Sequence, residues 1–263
     1  MEKIEIDKTL GISLPRSTWA PSLRYILRRH PLINILDRKK RGSLLEVGCG
    51  AGALLCELAL MDYDCCFIED STEAEAIAEQ HFALLGPKAP KKHLEKDQQI
   101  QFDHVIALDV LEHIEDDIKA MKEWIDMTKP GGTLIISVPA HMKKWGAGDV
   151  WAGHYRRYEK NDLLSLITDK GVEVAEFYSY GFPLANISER IGNLYYRKNL
   201  TTSNKSTATH QSGTNRDFYK KVNSILSTAP VKLLISTFIK IQSVFKNRDI
   251  GSGYILVLQK NSL

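Results

Sequence analysis

A carboxylate stands directly before a run of alternating glycines in the stretch "SLLEVGCGAG". Glu46 precedes the first glycine by two positions. The turn that follows it contains Gly48, Cys49, Gly50 and Gly52. Glycine permits positive φ and lets the backbone approach a ligand closely, and a carboxylate here would repel a diphosphate but attract a cation. The pattern therefore favours a positively charged ligand, although the same glycines also satisfy the G-x-G-x-x-G/A form of a nicotinamide-binding turn.

Further polar residues follow two later apolar runs. Glu69 stands 23 residues after Glu46, at the end of "CCFI", where a carboxylate can accept hydrogen bonds from both hydroxyls of a ribose. Its neighbour Asp70 is the alternative. The second group follows "DHVIA" and consists of Leu108, Asp109 and Val110. Open α/β sheets bind ligands at the carboxyl ends of their strands, so we expect these residues to lie near one ligand.

The elements that must hold these residues alternate between strand and helix. The run "LLEV" is of β type, and "ALLCELAL" after the glycine turn has helical spacing. A second strand, "CCFIE", precedes a helix over "TEAEAIAEQHFALLG" that Gly86 should end. The strand "DHVIALD" and a helix over "IKAMKEWIDMT" come next, and "KPGG" should make the turn before the strand "TLIISVP". This order predicts a parallel sheet.

The segments before and after this core also contain predicted helices and strands. Near the N-terminus, "WAPSLRYILRRHPLINILDRKK" predicts a basic amphipathic helix that breaks at Pro31. After the core come an aromatic and charged loop, a helix over "NDLLSLITDKG" that Gly171 should end, and the strand "VEVAEFYSY". The chain closes with a predicted strand, "GYILVLQK".

Four motifs in this order resemble those of class I S-adenosylmethionine-dependent methyltransferases of the small-molecule type. They are "LLEVGCGAG", "FIEDS", "DHVIALDVLEHIEDD" and "KPGGTLIISVP", and the resemblance covers about residues 44–158 and the final strand. The resemblance implies a Rossmann-like α/β fold with helices on both faces of a seven-stranded mixed sheet whose last strand is antiparallel. An N-terminal helix and a helical insertion before the last strand would cover the site.

The resemblance also implies the cofactor, S-adenosyl-L-methionine, and assigns residues to it. Glu46 would lie near the methionine end, Glu69 would hold the ribose, and Asp109 would contact the methionine portion, partly through its backbone. The other expected cofactor contacts are Gly48, Cys49, Gly50, Gly52, Asp70, Leu108 and Val110. The chain departs from the family in "PKAPKKHLEKDQQIQF", which shows no clear third strand. Glu95 or Asp97 could take the adenine contact there.

Two histidines are candidates for a catalytic base. His113 follows the fourth-strand motif, and His154 lies in the loop "WGAGDVWAGHYRRYEKNDL", where such enzymes place residues that bind the methyl acceptor. Each has an alternative structural role, such as capping a helix or bonding to backbone. Tyr155 is the third catalytic candidate. A base is required only if the acceptor atom carries a proton.

The same loop supplies the candidates for acceptor binding, which are Trp145, Trp151, Arg156 and Arg157. The indoles would provide flat apolar walls, and the guanidinium groups would bind a carboxylate or phosphate of the acceptor. The alternative for the arginines is that they pair with acidic residues such as Glu112 or Asp149 and fix the loop.

Length and composition indicate the number of domains, the absence of a metal site and the location of the protein. With 263 residues and 43 % hydrophobic content we expect one domain, 1–263. It would comprise a helical cap (1–42), a core with the acceptor loop (43–180), an insertion (181–250) and the last strand (251–263). The four cysteines show no metal-binding spacing, so we expect no metal. Neither a membrane span nor a signal peptide is apparent, which favours the cytoplasm.

The net charge of +3 argues against nucleic acid as a partner, but the charge is unevenly placed. Residues 1–42 carry ten Lys/Arg against four Asp/Glu, and residues 197–249 carry ten against two. Basic ends suggest an anionic or lipid-like acceptor, or peripheral contact with the inner membrane surface. In the insertion, 201–217 should be a disordered loop, and the helices after it, split at Pro230, would be either a lid or an interfacial surface.

The predicted function is methyl transfer from S-adenosylmethionine to an oxygen of a small or carrier-linked acceptor. Nitrogen or carbon acceptors remain open. The alternatives are a non-catalytic cofactor-binding or membrane-associated scaffold and, less favoured, a nicotinamide-dependent oxidoreductase. The oxidoreductase explains the glycine turn but not Glu46 together with "KPGG" and "DVLEH".

Overall fold

The structure is a computed structural model that describes residues 4–13, 19–93, 100–168, 171–199 and 225–262. The strands of this part are β1 (Glu5–Asp7), β2 (Gly11–Ser13), β3 (Ser43–Val47), β4 (Asp64–Ile68), β5 (Lys91–Lys92), β6 (Phe102–Leu108), β7 (Thr128–Pro139), β8 (Val172–Tyr180) and β9 (Gly253–Lys260). The helices are α1 (Leu23–Asp37), α2 (Ala53–Leu60), α3 (Thr72–Phe82), α4 (Asp117–Asp126), α5 (Ala147–Ala152), α6 (Lys160–Ser165), α7 (Leu184–Asn199) and α8 (Ala229–Phe245).

Seven strands form one mixed sheet in the order β5-β4-β3-β6-β7-β9-β8. Strand β9 lies between β7 and β8 and is antiparallel to both, whereas the other neighbouring strands run parallel. The predicted Rossmann-like sheet with an antiparallel last strand is therefore confirmed.

Both faces of the sheet are buried, because side chains of the central strands alternate between two apolar clusters. Ile135 packs in the cluster that includes α1, α2 and α8, whereas its neighbours Leu134 and Ile136 pack in the cluster that includes α4 and α6. This arrangement explains why "TLIISVP" has no charged residue and does not alternate between apolar and polar positions, as is usual for a strand covered on both sides.

The N-terminal part differs from the predicted helical cap. Strands β1 and β2 pair as an antiparallel hairpin before α1, and Leu10 and Ile12 of this hairpin are buried in the core. The third strand of the sheet along the chain, β5, has only two residues. This length accounts for the lack of a strand pattern in the sequence there.

The predicted break at Pro31 is wrong, since α1 continues through it. Proline has no N–H, so the carbonyl of Leu27 one turn earlier loses its helical partner. The buried Gln242 side chain in α8 replaces that donor, with Nε2 2.9 Å from the Leu27 oxygen, and its Oε1 accepts from the Gly181 amide at 2.9 Å. A residue 215 positions away therefore completes the helix.

The "KPGG" segment does not form a separate turn before the strand but a bulge within β7. Thr128 pairs with Phe102 and Thr133 pairs with His104, so the strand is irregular between these two pairs. A Cβ on Gly132 would come within 2.8 Å of the Lys129 carbonyl oxygen, which explains the glycine at this position.

Several other boundaries differ from the sequence-based expectations. Helix α6 ends at Ser165, well before Gly171, and the aromatic and charged loop after β7 contains α5. Pro230 does stand in the first turn of α8. The predicted disordered loop 201–217, the adenine candidates Glu95 and Asp97, and most of the helix predicted between that loop and Pro230 lie outside the described residues.

Candidate cofactor and acceptor site

A cavity of about 290 Å³ lies at the carboxyl ends of β3 and β6, between α1, α5 and α7. The structure brings together nine of the predicted site residues in its walls: Glu46, Gly48, Cys49, Gly50, Leu108, Asp109, His113, Trp151 and His154. Residues of the glycine turn, of the segment after β6 and of the acceptor loop therefore line the same cavity. The site is where an open α/β sheet places its ligand.

The glycine turn is supported on one side and open on the other. Gly48 has φ 67°, and a Cβ there would lie 2.6 Å from Val110, so Val110 supports the turn from outside the cavity walls. A Cβ added to Gly50, which has φ 55°, would meet no heavy atom of the described residues within 4 Å, and this glycine lines the cavity. Gly52 precedes α2 and packs on Phe82, a structural position.

The Glu69 carboxylate is tied to this turn. One oxygen accepts from the Gly50 amide at 2.7 Å and the other from the Ser71 amide at 3.0 Å. Asp70 is exposed, with no hydrogen bond among the described residues. Of the two ribose candidates, Glu69 is therefore the one that the turn holds in a fixed orientation.

Glu46 is 4 % exposed, and its Oε2 has no hydrogen-bond partner within the described part of the chain. Burial raises the pKa of this carboxyl to about 8, although the Arg28 guanidinium opposes the shift. A buried oxygen without a donor is costly, so the position calls for a hydrogen-bonding cation from a ligand. Cys49 beside it is not a nucleophile candidate, because burial raises the pKa of its thiol well above the usual range.

Two arginines that the sequence motifs do not predict face the cavity from α1. Arg24 lies 3.2 Å from Asp109, and Arg28 forms a closer ion pair with the same carboxylate. Ser137 also donates to Asp109 at 3.1 Å. Burial alone would raise the pKa of Asp109, but the two guanidinium groups hold it well below its usual range. The available signal was the four-residue spacing of the arginines, which places both on one helix face.

The acceptor half of the cavity contains an imidazole oriented by a carboxylate. Nδ1 of His154 lies 2.9 Å from Asp149, and Asp149 is also bound by Arg157 at 2.7 Å and by the Gly146 amide at 2.8 Å. Burial opposes ionisation of Asp149, yet its bonds to His154 and Arg157 lower its pKa to about 2. A carboxylate only accepts hydrogen bonds, so Nδ1 of His154 carries a proton and Nε2 is the ring atom left to act as a base.

Glu112 and His113 lie next to that Nε2 atom. Glu112 is fully buried, both of its oxygens lack hydrogen-bond partners among the described residues, and one lies 3.9 Å from Nε2 of His154. Burial and the nearby Asp109 raise the pKa of Glu112 well above its usual range. Burial and then His154 lower the pKa of His113 to about 4, so His113 is neutral at pH 7.

These three side chains could also hold a cation, which differs from the expectation of no metal. One ligand atom from each of Glu112, His113 and His154 lies within 4.8 Å of the others. An imidazole pair with a carboxylate suits a divalent transition metal. The cluster is not apparent in the sequence because its members come from two segments about 40 residues apart.

Other predicted acceptor residues are not in the cavity walls. Arg156 pairs with Asp117 at 2.6 Å, and Arg157 is occupied by Asp149, so the structure shows the loop-fixing alternative for both. Tyr155 is 42 % exposed, and Trp145 is partly buried outside the cavity lining. Besides the predicted Trp151, the aromatic walls come from Trp19, Tyr25 and Tyr196, and Trp151 stacks on Tyr196 with the ring centres 4.6 Å apart.

Comparison with known proteins gives the class of this chain. A family model described as a methyltransferase domain matches residues 21–176, which is more than half of the chain, so the chain belongs to this family. The resemblance to class I S-adenosylmethionine-dependent methyltransferases is confirmed, and S-adenosylmethionine is the cofactor.

Individual relatives are more distant. The ubiquinone biosynthesis O-methyltransferase of Rickettsia prowazekii is 27 % identical over 169 residues, which cover 57 % of this chain and 66 % of that protein. The enzyme of the same name from Aliivibrio fischeri is 29 % identical over 121 residues, 44 % of this chain and 49 % of that one. The chain thus spans between about half and two thirds of these relatives.

Two solved structures share the fold at low identity. The [4+2]-cyclase SpnF has a TM-score of 0.54 with 19 % identity, over 94 % of this chain and 84 % of that chain. Phosphoethanolamine N-methyltransferase 2 of Haemonchus contortus, with phosphomonomethylethanolamine and S-adenosylhomocysteine, has a TM-score of 0.52 with 15 % identity, over 90 % and 52 %. Because one of them is a cyclase, the fold alone does not define the reaction.

Proposed function

We propose that this protein transfers a methyl group from S-adenosylmethionine to an oxygen of a small or carrier-linked acceptor. The observation that carries the proposal is that one cavity contains both the glycine turn with the unpartnered Glu46 oxygen and an imidazole that Asp149 orients, all among the described residues. The glycine turn with Glu46 suits a nucleoside that carries an ammonium and a carboxylate. The oriented imidazole suits an acceptor that must lose a proton. The O-methyltransferase names of the relatives agree with this proposal.

The residues present fit the cofactor. Glu46 would accept hydrogen bonds from its ammonium, Arg24 and Arg28 would attract its carboxylate, and Glu69 would hold the ribose. The backbone at Gly50 would pass against the ligand. Bound S-adenosylmethionine supplies a methyl group that its sulfonium activates toward nucleophiles.

The acceptor side of the cavity suits a flat molecule with a hydroxyl. Trp151 and Tyr196 offer an aromatic wall, and Nε2 of His154 would take the hydroxyl proton as the C–O bond forms and the C–S bond breaks. The neutral His113 beside it would keep the base from being repelled by a second positive charge. A phenol fits these walls, and a non-catalytic scaffold does not require such a base.

Binding of S-adenosylhomocysteine tests the cofactor assignment without any acceptor. We expect micromolar affinity, with proton release at pH 7, because burial keeps Glu46 largely protonated in the free protein and an ammonium favours its ionised form. Affinity should therefore rise from pH 6 to pH 8. Calorimetry in two buffers of different ionisation enthalpy measures the released proton, and Glu46→Gln should abolish the release.

The same titrations separate the two ribose candidates. Glu69→Ala should weaken binding by about 1–3 kcal/mol, the cost of leaving buried partners unpaired, while the matched Asp70→Ala should change little. Tighter binding of NAD than of S-adenosylhomocysteine would contradict the assignment. An effect of Asp70→Ala alone would move the ribose contact to that residue.

We also propose that helices α7 and α8 contact an anionic membrane surface, where a lipid-like acceptor would be found. Helix α8 has no acidic residue, and Leu233 and Val244 on it are 71 % and 79 % exposed. On α7, Ile187, Ile191 and Leu194 form an exposed stripe at helical spacing. Among the described helices none is long and apolar enough to cross a membrane, so contact would be peripheral.

Sedimentation with vesicles tests this contact. We expect binding to anionic vesicles, weaker binding to neutral ones, and loss of binding as salt rises, because screening acts over a Debye length of ~8 Å at physiological ionic strength. Leu233→Ser with Val244→Ser should reduce binding, whereas Ile118→Ser, at a residue of α4 that is 54 % exposed, should not. If the protein binds neither vesicle at low salt, the membrane proposal is wrong, and α7 and α8 would then serve as a cover for the cofactor cavity.

A further inference from the structure

A second cavity of about 320 Å³ lies between α1, the end of β8 and α8. It shares no lining residue with the cofactor cavity, as far as the described residues go. Helix α1 contributes to both, since Arg24 and Arg28 face the cofactor cavity whereas His30, Asn34 and Arg38 face the second one. The proposed methyl transfer does not use this space.

The inner walls of this second cavity are apolar and aromatic. Ile35 and Ile239 are buried and line it from α1 and α8, and Pro31 of α1 lies beside them. Tyr178 and Tyr180 of β8 complete the walls. Such a surface favours the apolar part of a ligand over water.

The rim of the second cavity is basic. Its described lining residues include Arg38, Lys240 and Lys246 but no Asp or Glu. The Lys246 ammonium lies 5.0 Å from the centre of the Tyr178 ring. Arg38 uses one nitrogen for Glu176, at 2.8 and 2.9 Å, and it also hydrogen-bonds the Tyr178 side chain. Cations around an apolar space favour an anion with an apolar body.

We propose that the second cavity binds an anionic amphiphile, with its phosphate or carboxylate against Lys240, Lys246 and Arg38 and its apolar part against Ile35 and Ile239. A volume of about 320 Å³ has room for roughly ten groups of the size of a water molecule. This size suits a head group with the first part of one chain rather than a complete lipid. Methyl transfer is not required for this binding.

One buried side chain links the walls of the second cavity. Gln242, which lines the cavity, is hydrogen bonded to Leu27 of α1 and to Gly181 after β8, so all three walls are joined through one side chain. A preformed site loses less conformational entropy on binding than a mobile one. An occupant that touches α1 and α8 together should also stabilise the fold.

Calorimetric titration with three probes tests the proposal. The probes are dihexanoylphosphatidylglycerol below its micelle concentration, the zwitterionic dihexanoylphosphatidylcholine, and inorganic phosphate. We expect saturable one-to-one binding of the first, at least tenfold weaker binding of the other two, and a rise in the melting temperature with the first only. S-adenosylhomocysteine binding, measured in parallel, reports separately on the methyltransferase assignment.

Variants assign the binding to this cavity. Lys240→Glu with Lys246→Glu should weaken binding of the anionic probe at least tenfold, and Ser243→Trp, which fills the cavity from α8, should do the same without a change of charge. Lys122→Glu, an exposed position on α4, is the matched control and should leave binding unchanged. Equal weakening by Lys122→Glu, no effect of Ser243→Trp, or equally tight binding of inorganic phosphate would each overturn the proposal.

Discussion

Replacing His154 with alanine should lower kcat for methyl transfer by about 10²-fold or more, while the affinity for S-adenosylhomocysteine changes little. The reason is that Nε2 of His154 is the atom that would take the acceptor proton, and a positioned base contributes about 10²–10⁴-fold. Single-turnover methylation of a phenolic acceptor, with calorimetry of the cofactor product on the same protein, measures both quantities.

Asp149→Asn supplies the companion measurement, because Asp149 acts through His154. The amide would keep the shape but would no longer select the tautomer with Nδ1 protonated, so kcat should fall. Since Asp149 also binds Arg157, the melting temperature of this variant must be recorded. A loss of stability with an unchanged rate per folded molecule would make the residue structural.

His113→Ala distinguishes the two histidines. We expect a smaller effect than for His154→Ala, because His113 has no hydrogen-bonded carboxylate among the described residues that would orient it as a base. A rate that falls for His113→Ala but not for His154→Ala would move the base to His113. A rate abolished by a chelator in the unmodified protein would instead assign Glu112 and both histidines to a metal ion.

Replacing Arg29 with methionine should destabilise the fold by about 3–5 kcal/mol, since it leaves a buried carboxylate without its partner. Arg29 on α1 and Glu57 on α2 are 5 % and 3 % exposed. Nε of Arg29 lies 2.6 Å from one Glu57 oxygen, and a second nitrogen binds the other oxygen. Urea denaturation at pH 7 measures the change in the free energy of unfolding.

Two further variants test the physical reason. Arg29→Met with Glu57→Leu should recover most of the stability, because replacing both members of a buried ion pair by apolar residues is often neutral. Lys119→Met, which removes an exposed pair with Glu123, is the control and should have no measurable effect. If the double variant is as unstable as Arg29→Met, the arginine acts through packing against Gly11 and the hairpin rather than through its charge.

The local residue pattern predicted those parts of the fold in which burial or backbone conformation determines the residue type. Strand β7 and the glycine turn are examples, because burial on both faces and positive φ leave direct marks on residue type. Pro31 misled the prediction because its missing donor is replaced by Gln242, a contact that no local pattern contains. Strand β5 was not recognisable because two residues are too few to show a period.

The candidate site also contains residues that the sequence identified and residues that only the folded structure shows. Glu46 was identified from its place before the glycines, and the site holds it buried, with one oxygen unpartnered among the described residues. Arg24 and Arg28 belong to a basic helix face in the sequence, and only the folded chain brings α1 over Asp109. Arg157 was a predicted acceptor ligand, yet its charge is used inside the loop. Arg24 and Arg28 were the least predictable because their partner Asp109 is distant in sequence.

The position of β9 has a consequence for synthesis of the chain. Strand β9 pairs with both β7 and β8, so until a ribosome has released the residues near 260, the edges of β7 and β8 that face it have no partner. Unpaired edges of apolar strands invite association with other chains. The nascent protein therefore has to pass through a stage in which its sheet is open between β7 and β8, and any interruption of translation before β9 leaves a product prone to aggregate.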